Sequence, residues 1–151
     1  MKTAIFPGSF DPITKGHKDI AIKASLLFDK VYVAIGDNSD KKNMFSKEQR
    51  LAWLRLVFAN YTNIECIIYS GLTIEFCKKH NINYIVRGLR SINDYENEKN
   101  IAYTNKSLYP SIETVFLLCD SSYSHISSSV VKEIIQLNGC VKNFIPEEIT
   151  F

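Results

Sequence analysis

A doubly wound α/β domain built on a five-stranded parallel sheet is the fold class this sequence predicts, and three observations predict it. Five short apolar runs alternate along the chain with five stretches of helical period. The runs are rich in Ile, Val and aromatic residues and lack polar alternation, as strands buried on both faces do. The chain of 151 residues suits a single domain, large enough to bury roughly 68–70% of the surface its unfolded form exposes. Strand–helix units in succession imply right-handed crossovers with helices on both faces of the sheet, the Rossmann-like arrangement.

The first strand is expected at residues 3–6, ending at Pro7-Gly8, and a helix at 17–28 follows a loop with two prolines and two glycines. A second strand is expected at 31–35. The helix at 47–60 opens on Ser46-Lys47-Glu48-Gln49, an N-cap signature, and its Trp53, Leu54, Val57 and Phe58 recur at helical spacing as core residues. Strand 64–69 and helix 73–80 come next, then strand 84–86. Ser91-Ile92-Asn93-Asp94 caps an amphipathic helix at 92–108, whose Asp94, Glu96 and Glu98 suit the positive end of the helix dipole. Strand 114–118 and a serine-capped helix at 128–137 complete the order. No repeat, low-complexity tract or linker interrupts it, so residues 1–151 read as one domain.

Composition narrows the function classes. Hydrophobic residues are 46% and charged residues 23% of the chain, which excludes a disordered or fibrous protein. The net charge of +2 argues against a non-specific nucleic-acid or membrane-surface binder. A small anionic ligand needs only a local cluster of cations. Of eighteen cationic residues four are Arg, and Arg87 and Arg90 stand three apart. Cys66, Cys77, Cys119 and Cys140 form no C-x-x-C pair, so neither a zinc site nor a redox motif is expected, and buried reduced thiols in a cytoplasmic protein are. The apolar start at residues 1–6 is cut by Pro7-Gly8, so no signal peptide is expected, and no run approaches the ~20 apolar residues of a membrane span.

In a doubly wound sheet, ligands bind beyond the carboxyl ends of the strands. The unusual residues of this chain follow its strands: Pro7–His17 by number 7–17, then Asp37 to Lys42, Ser70-Gly71, Arg87-Gly88-Leu89-Arg90, and Ser121 to Ser129. Gly8 permits close backbone approach, and the helix after the first loop offers free N–H groups to an anion, with His17 near its start, where a nearby phosphate would keep it protonated. Two guanidinium forks at the end of a buried strand suit bidentate phosphate binding. Lys41 and Lys42 share that rim, and Ser127-Ser128-Ser129 lead into a helix whose N-terminus suits phosphate oxygens. Each loop alone also fits an ordinary turn, cap or solvated charge; the agreement of five loops points to one anion site. Glu98 is a candidate contact to a ribose or an adenine edge, which its spacing alone does not decide. The first loop is neither G-x-G-x-x-G nor a P-loop, so neither mechanism is borrowed.

Pro-Gly-Ser-Phe-Asp-Pro-Ile-Thr-Lys-Gly-His at 7–17, Arg-Gly-Leu-Arg at 87–90 and Ile-Ser-Ser-Ser at 126–129, with Met44-Phe45-Ser46, Glu113 to Leu117 and Val131-Lys132-Glu133, resemble the bacterial phosphopantetheine adenylyltransferase family over nearly the whole chain. The Thr14-x-Gly16-His17 element marks the wider nucleotidyltransferase superfamily. The resemblance implies transfer of AMP from ATP to 4′-phosphopantetheine with Mg²⁺, giving dephospho-CoA and pyrophosphate. It further implies a cytoplasmic, typically hexameric enzyme and possible feedback binding of coenzyme A. By the same resemblance His17, Lys41 and Arg90 would be catalytic, with His17 stabilising transition-state charge. Ser9, Phe10, His17, Gly88, Leu89, Arg90, Glu98, Tyr123, Ser124, His125, Ile126, Ser127, Ser128 and Ser129 would line the ATP site. Ser9, Lys41, Thr73 and Arg87 would hold 4′-phosphopantetheine, and no residue is assigned to a metal. Ser9, Asn97, His125 and Cys119-Asp120 depart from the usual pattern; a proline is frequent near the last pair, which implies a different path for that loop. Two other readings remain: a related nucleotidyltransferase with another acceptor such as nicotinamide mononucleotide, and a non-catalytic nucleotide-binding module.

Overall fold

A computed structural model describes residues 1–37 and 42–151. The element order is β1 (Thr3–Gly8), α1 (Lys15–Leu27), β2 (Lys30–Asp37), α2 (Lys47–Val57), β3 (Ile64–Ser70), α3 (Thr73–Lys79), β4 (Tyr84–Leu89), α4 (Ile92–Leu108), β5 (Glu113–Leu118) and α5 (Ser128–Gln136), with a short 3₁₀ turn at Ser121–Tyr123 before α5. The five strands form one all-parallel sheet in the order β3-β2-β1-β4-β5. The sequence expectation of a doubly wound parallel α/β sheet is met.

Two apolar layers hold the sheet. On one face Ile20, Ala21 and Ala24 of α1, Trp53, Leu54, Val57 and Phe58 around α2, and Val131 of α5 pack on Ala4, Phe6, Val31 and Val33. On the other, Ile74 and Cys77 of α3 pack with Ile5, Ala34, Ile82 and Ile85. At about 25 cal/mol per Å² of apolar surface buried, these layers supply the main stabilisation. The central strands are buried on both faces as expected; β3 and β5 are sheet edges and only partly covered.

Three expectations need correction. β1 and β4 run past their expected ends, through Pro7-Gly8 and Arg87-Gly88-Leu89, so these candidate residues lie on strands rather than in loops. α4 is not a core-facing amphipathic helix: none of its residues is buried, and Tyr95, Ile101, Tyr103 and Leu108 are exposed. The four cysteines are unpaired, but only Cys77 is buried and Cys140 is exposed. Burial pushes the Cys66 thiol up to about 12 and Cys77 to about 11, so both are poor nucleophiles.

Gly88 marks a close approach between α1 and the sheet. A Cβ there would lie 2.9 Å from Cγ1 of Ile20, a core side chain. We expect Gly88→Ala to lower stability by about 1–3 kcal/mol through overpacking, read as a lower thermal midpoint.

Candidate active site

The strand order reverses direction between β1 and β4, and the sheet opens there. The β1–β4 ladder pairs Ala4 with Tyr84 and Ile5 with Ile85 and then stops, although both strands continue. Arg87 fills the opening: its Nη1 donates to the Pro7 carbonyl at 2.9 Å. In extended backbone a residue's N and carbonyl O face the same edge, so the N–H that Pro7 lacks would also have faced the opening. A proline is tolerated inside this buried strand for that reason.

His17 is positioned by the start of α1. Thr14 is the N-cap: its hydroxyl accepts from the His17 N–H at 3.3 Å, while the Thr14 N–H donates to His17 Nδ1 at 3.1 Å. This is a capping box in which histidine takes the usual place of glutamate. Because an amide N–H faces Nδ1, the imidazole proton resides on Nε2. The Phe10 ring stands edge-on to the imidazole at 5.1 Å between centroids. Phe10 itself holds a positive φ of 45°, a strained conformation for a bulky residue.

Burial first, then the charges of Arg90 and Arg87, lowers the His17 pKa from 6.5 to about 4. The imidazole is therefore neutral at neutral pH in the protein alone, where the sequence expectation had a phosphate keep it protonated. The unfolded chain takes up this proton near 6.5 and the folded chain near 4, so between those values the unfolded state binds more protons and stability rises with pH. We expect the wild-type protein to lose stability relative to His17→Gln as pH falls from 6.5 to 4. Urea midpoints across that range check this, and parallel pH profiles would contradict it.

The two arginines are held differently. Arg87 Nε and Nη2 fork onto Glu98 Oε2 and Oε1, each at 2.7 Å. With Nη1 on Pro7, three of the five guanidinium N–H groups are engaged, leaving one on each Nη. Arg90 Nε and Nη2 reach Asp94 at 3.1 and 3.3 Å, and Nη1 donates to the Ile126 carbonyl at 3.1 Å, tying β4 to the loop before α5. Burial opposes ionisation of Asp94, but the Arg90 side chain and backbone N–H outweigh it and hold the carboxyl below its usual range.

Two cavities meet at this opening. The first, about 330 Å³, is lined by Phe10, His17, Gly88, Arg90, Ile126 and the three serines 127–129, among others. The second, about 720 Å³, is lined by Asp37, Tyr69, Thr73, Ile101 and Asn105 among others. Pro7, Gly8, Ser9 and Arg87 line both. Ser127 caps α5 by accepting from the Val130 N–H, and Ser128 Oγ donates to the Pro12 carbonyl at 2.8 Å, locking α5 to the first loop. Thr73 begins α3, with its hydroxyl 2.7 Å from the Tyr69 hydroxyl.

The structure thus gathers Ser9, Phe10, His17, Arg87, Gly88, Arg90, Glu98 and 126–129 around one opening, with Thr73 across the second cavity. Glu98 lines the first cavity with its carboxylate committed to Arg87. Leu89 points into the core, and Tyr123, Ser124 and His125 stand outside the lining of both cavities; the His125 ring faces Phe144 at 6.2 Å. Lys41 lies outside the described residues, and Lys42 is exposed. The Cys119 N–H donates to the Leu89 carbonyl at 3.1 Å, which a proline there could not do, and Asp120 caps the following 3₁₀ turn. Sequence reasoning missed Asp11 and Arg50, both buried beside the first loop, and the pairing of Asp94 with Arg90. For the last, the i,i+4 spacing was the available signal.

Among the described residues no three His, Cys, Asp or Glu side chains are grouped to hold a metal ion. Asp94 and Glu98, the acids of the first cavity, both face arginines. The donor set does not suit a protein-held divalent ion. Nor is any helix among the described residues long and apolar enough to cross a membrane.

Residues 5–134 match the family described as cytidylyltransferase-like. The chain is 49% identical over 149 residues to the phosphopantetheine adenylyltransferase of Carboxydothermus hydrogenoformans, covering 99% of this chain and 92% of that protein. It is 46% identical to that of Clostridium botulinum strain Langeland and 42% to that of Natranaerobius thermophilus, with 99% of this chain and 91% and 92% of those proteins covered. A crystal structure of a lipopolysaccharide core biosynthesis protein from Thermoplasma volcanium shares the fold, with a TM-score of 0.56 at 18% identity over 80% of this chain and 97% of that one.

Proposed function

Since the chain belongs to the cytidylyltransferase-like family and, within it, to the phosphopantetheine adenylyltransferases, we propose how this site carries out their reaction. The enzyme is a nucleotidyltransferase of coenzyme A biosynthesis: it transfers AMP from ATP to 4′-phosphopantetheine, giving dephospho-CoA and pyrophosphate. The observation that carries the assignment of substrates to places is the wall that the two cavities share, Pro7 to Ser9 and Arg87.

ATP occupies the first cavity, with its phosphates toward His17 Nε2, Arg90 and the N-terminus of α5, whose free N–H groups favour anions. The acceptor phosphate lies at Arg87, with the pantetheine arm toward Thr73 in the second cavity. Lys41 serves the acceptor phosphate by family resemblance. Leu89, Tyr123, Ser124 and His125 are assigned to the ATP site by the same resemblance alone, since none of them lines either cavity. Magnesium enters as part of the magnesium–ATP substrate, coordinated by phosphate oxygens.

An oxygen of the acceptor phosphate attacks the α-phosphorus in line, and the bond from that phosphorus to the pyrophosphate oxygen breaks. The nucleophile is ionised near neutral pH, its second pKa being about 6, so no side chain need remove a proton. The task of the protein is to hold two mutually repelling anions in register. Positioning of this kind contributes about 7–11 kcal/mol in favourable systems. Neutral His17 donates from Nε2 to the charge that develops on the transferred phosphoryl group and its leaving group, a role in which one well-aimed donor contributes about 3–4 kcal/mol.

Coenzyme A carries both an adenine nucleotide and a pantetheine arm, which supports feedback binding across the same two cavities. The unburied apolar side chains of α4, Tyr95, Tyr103 and Leu108 among them, support self-association, for which the family resemblance gives a hexamer. The lack of a membrane-spanning helix among the described residues is consistent with a cytoplasmic enzyme.

Release of pyrophosphate from magnesium–ATP with different acceptors tests this function. Turnover with 4′-phosphopantetheine is expected. Release with nicotinamide mononucleotide instead would move the acceptor assignment, and ATP binding without turnover would make the chain a nucleotide-binding module.

A further inference from the structure

Among the described residues three polar or charged ones are buried, Asp11, Thr14 and Arg50, and all three bear on the loop after β1. Thr14 holds His17, as described. Asp11 and Arg50 do something else. The Asp11 carboxylate accepts from the Met44 N–H at 2.8 Å and the Phe45 N–H at 2.9 Å, one on each oxygen, with the Lys132 ammonium of α5 3.4 Å away. Arg50, on α2, donates from Nη1 to the Ser9 carbonyl at 2.6 Å and from Nε to the Phe45 carbonyl at 3.1 Å. The two charges therefore cross between the same two segments. One reaches from the first loop to residues 44–45, and the other ties 45 back to Ser9.

Burying a carboxylate and a guanidinium is costly unless each is fully paired, and a buried pair is weak evidence for stability. What these bonds do fix is geometry. Ser9 lines both cavities, and next to it Phe10 is held at positive φ with its ring on His17. A backbone in that region persists only where its surroundings over-determine it. We propose that Asp11 and Arg50 are positioning residues for adenylyl transfer, holding Ser9 and Phe10 in the shape that aligns the two substrates. The inference rests on the adenylyltransferase reading.

The test compares Asp11→Asn, Arg50→Lys and the double variant with the wild-type protein in the pyrophosphate assay. Asparagine presents an NH₂ to an amide N–H, and the single ammonium of lysine lacks the two spaced donors, Nε and Nη1, with which the guanidinium reaches both carbonyls. Misplacement by 1 Å can cost a hundredfold. We expect each single variant to lower kcat at least about tenfold while KM for ATP stays within about threefold, and the double variant to lose little more than the worse single one, since both act through one loop. Trp53, the chain's one tryptophan and 4.8 Å from Phe45 between ring centroids, reports by its fluorescence that the fold persists. Unchanged kcat in folded single variants, or losses that multiply in the double variant, would overturn the proposal. Where a variant does not fold, the wild-type protein still decides: the Met44 and Phe45 amides should be protected from hydrogen exchange, and their rapid exchange would overturn it too. If the adenylyltransferase reading itself is at fault, the wild-type protein releases no pyrophosphate from ATP and 4′-phosphopantetheine, an outcome distinct from variants that match an active wild type.

Discussion

His17→Ala is expected to lower kcat at least about a hundredfold and to leave the fold intact. The size follows from what the side chain does here. Its Nδ1 is taken by the Thr14 N–H, so Nε2–H is its one donor, and the wall of Phe10 sets its direction. An interaction that strengthens as charge moves onto the leaving pyrophosphate appears in kcat, with KM for ATP changed much less. The structural loss is small, because Thr14 still caps α1 through the His17 backbone N–H. With a pKa of about 4, the imidazole does not titrate between pH 5 and 8 in the protein alone. Any acid limb in that range, near pH 6, belongs to the acceptor phosphate and persists in the variant. Steady-state kinetics at saturating substrates checks all of this, and near-normal turnover would remove His17 from the mechanism.

Arg87→Ala is expected to have the second large effect, and to have it on the other substrate. Two N–H groups remain on this guanidinium beyond its bonds to Glu98 and Pro7. Hydrogen bonds to charged groups contribute about 1.5–3 kcal/mol, so kcat/KM for 4′-phosphopantetheine should fall about a hundredfold, with KM for ATP affected far less. Truncation also leaves Glu98, 15% exposed, without its cation, so the variant is less stable as well. Arg87→Ala combined with Glu98→Gln should recover stability and leave the acceptor defect in place. Arg87→Lys should rescue little, because a point charge cannot reproduce the fork. Titration of each substrate at saturation of the other separates these outcomes, and an equal loss on the ATP side would contradict the placement.

Much of the fold was legible because its strands are short, apolar and separated by capped helices: Ser46 and Ser91 cap where their signatures place them, and Trp53, Leu54, Val57 and Phe58 are core. The strand ends were not legible. Pro7 and the charged Arg87 look like stops, yet both lie on strands, since the β1–β4 ladder has already opened and each faces the gap. α4 has helical period without burial, and periodicity does not say what a face packs against. At the site, the T-x-G-H motif made Thr14 and His17 visible by family resemblance, and the capping box that joins them emerged only in the structure. Arg87 with Glu98, and Asp11 with Met44 and Phe45, join residues 11 and 33–34 positions apart. Only the folded topology brings such pairs together.

In the proposed mechanism the site aligns two anions for a single in-line displacement at the α-phosphorus, with no covalent enzyme intermediate. ATP made chiral at that phosphorus by sulfur substitution tests this most directly, through the configuration of the dephospho-CoA analogue formed with 4′-phosphopantetheine. Inversion is the expected result. Retention would require two displacements, through an adenylylated side chain, and would contradict the account.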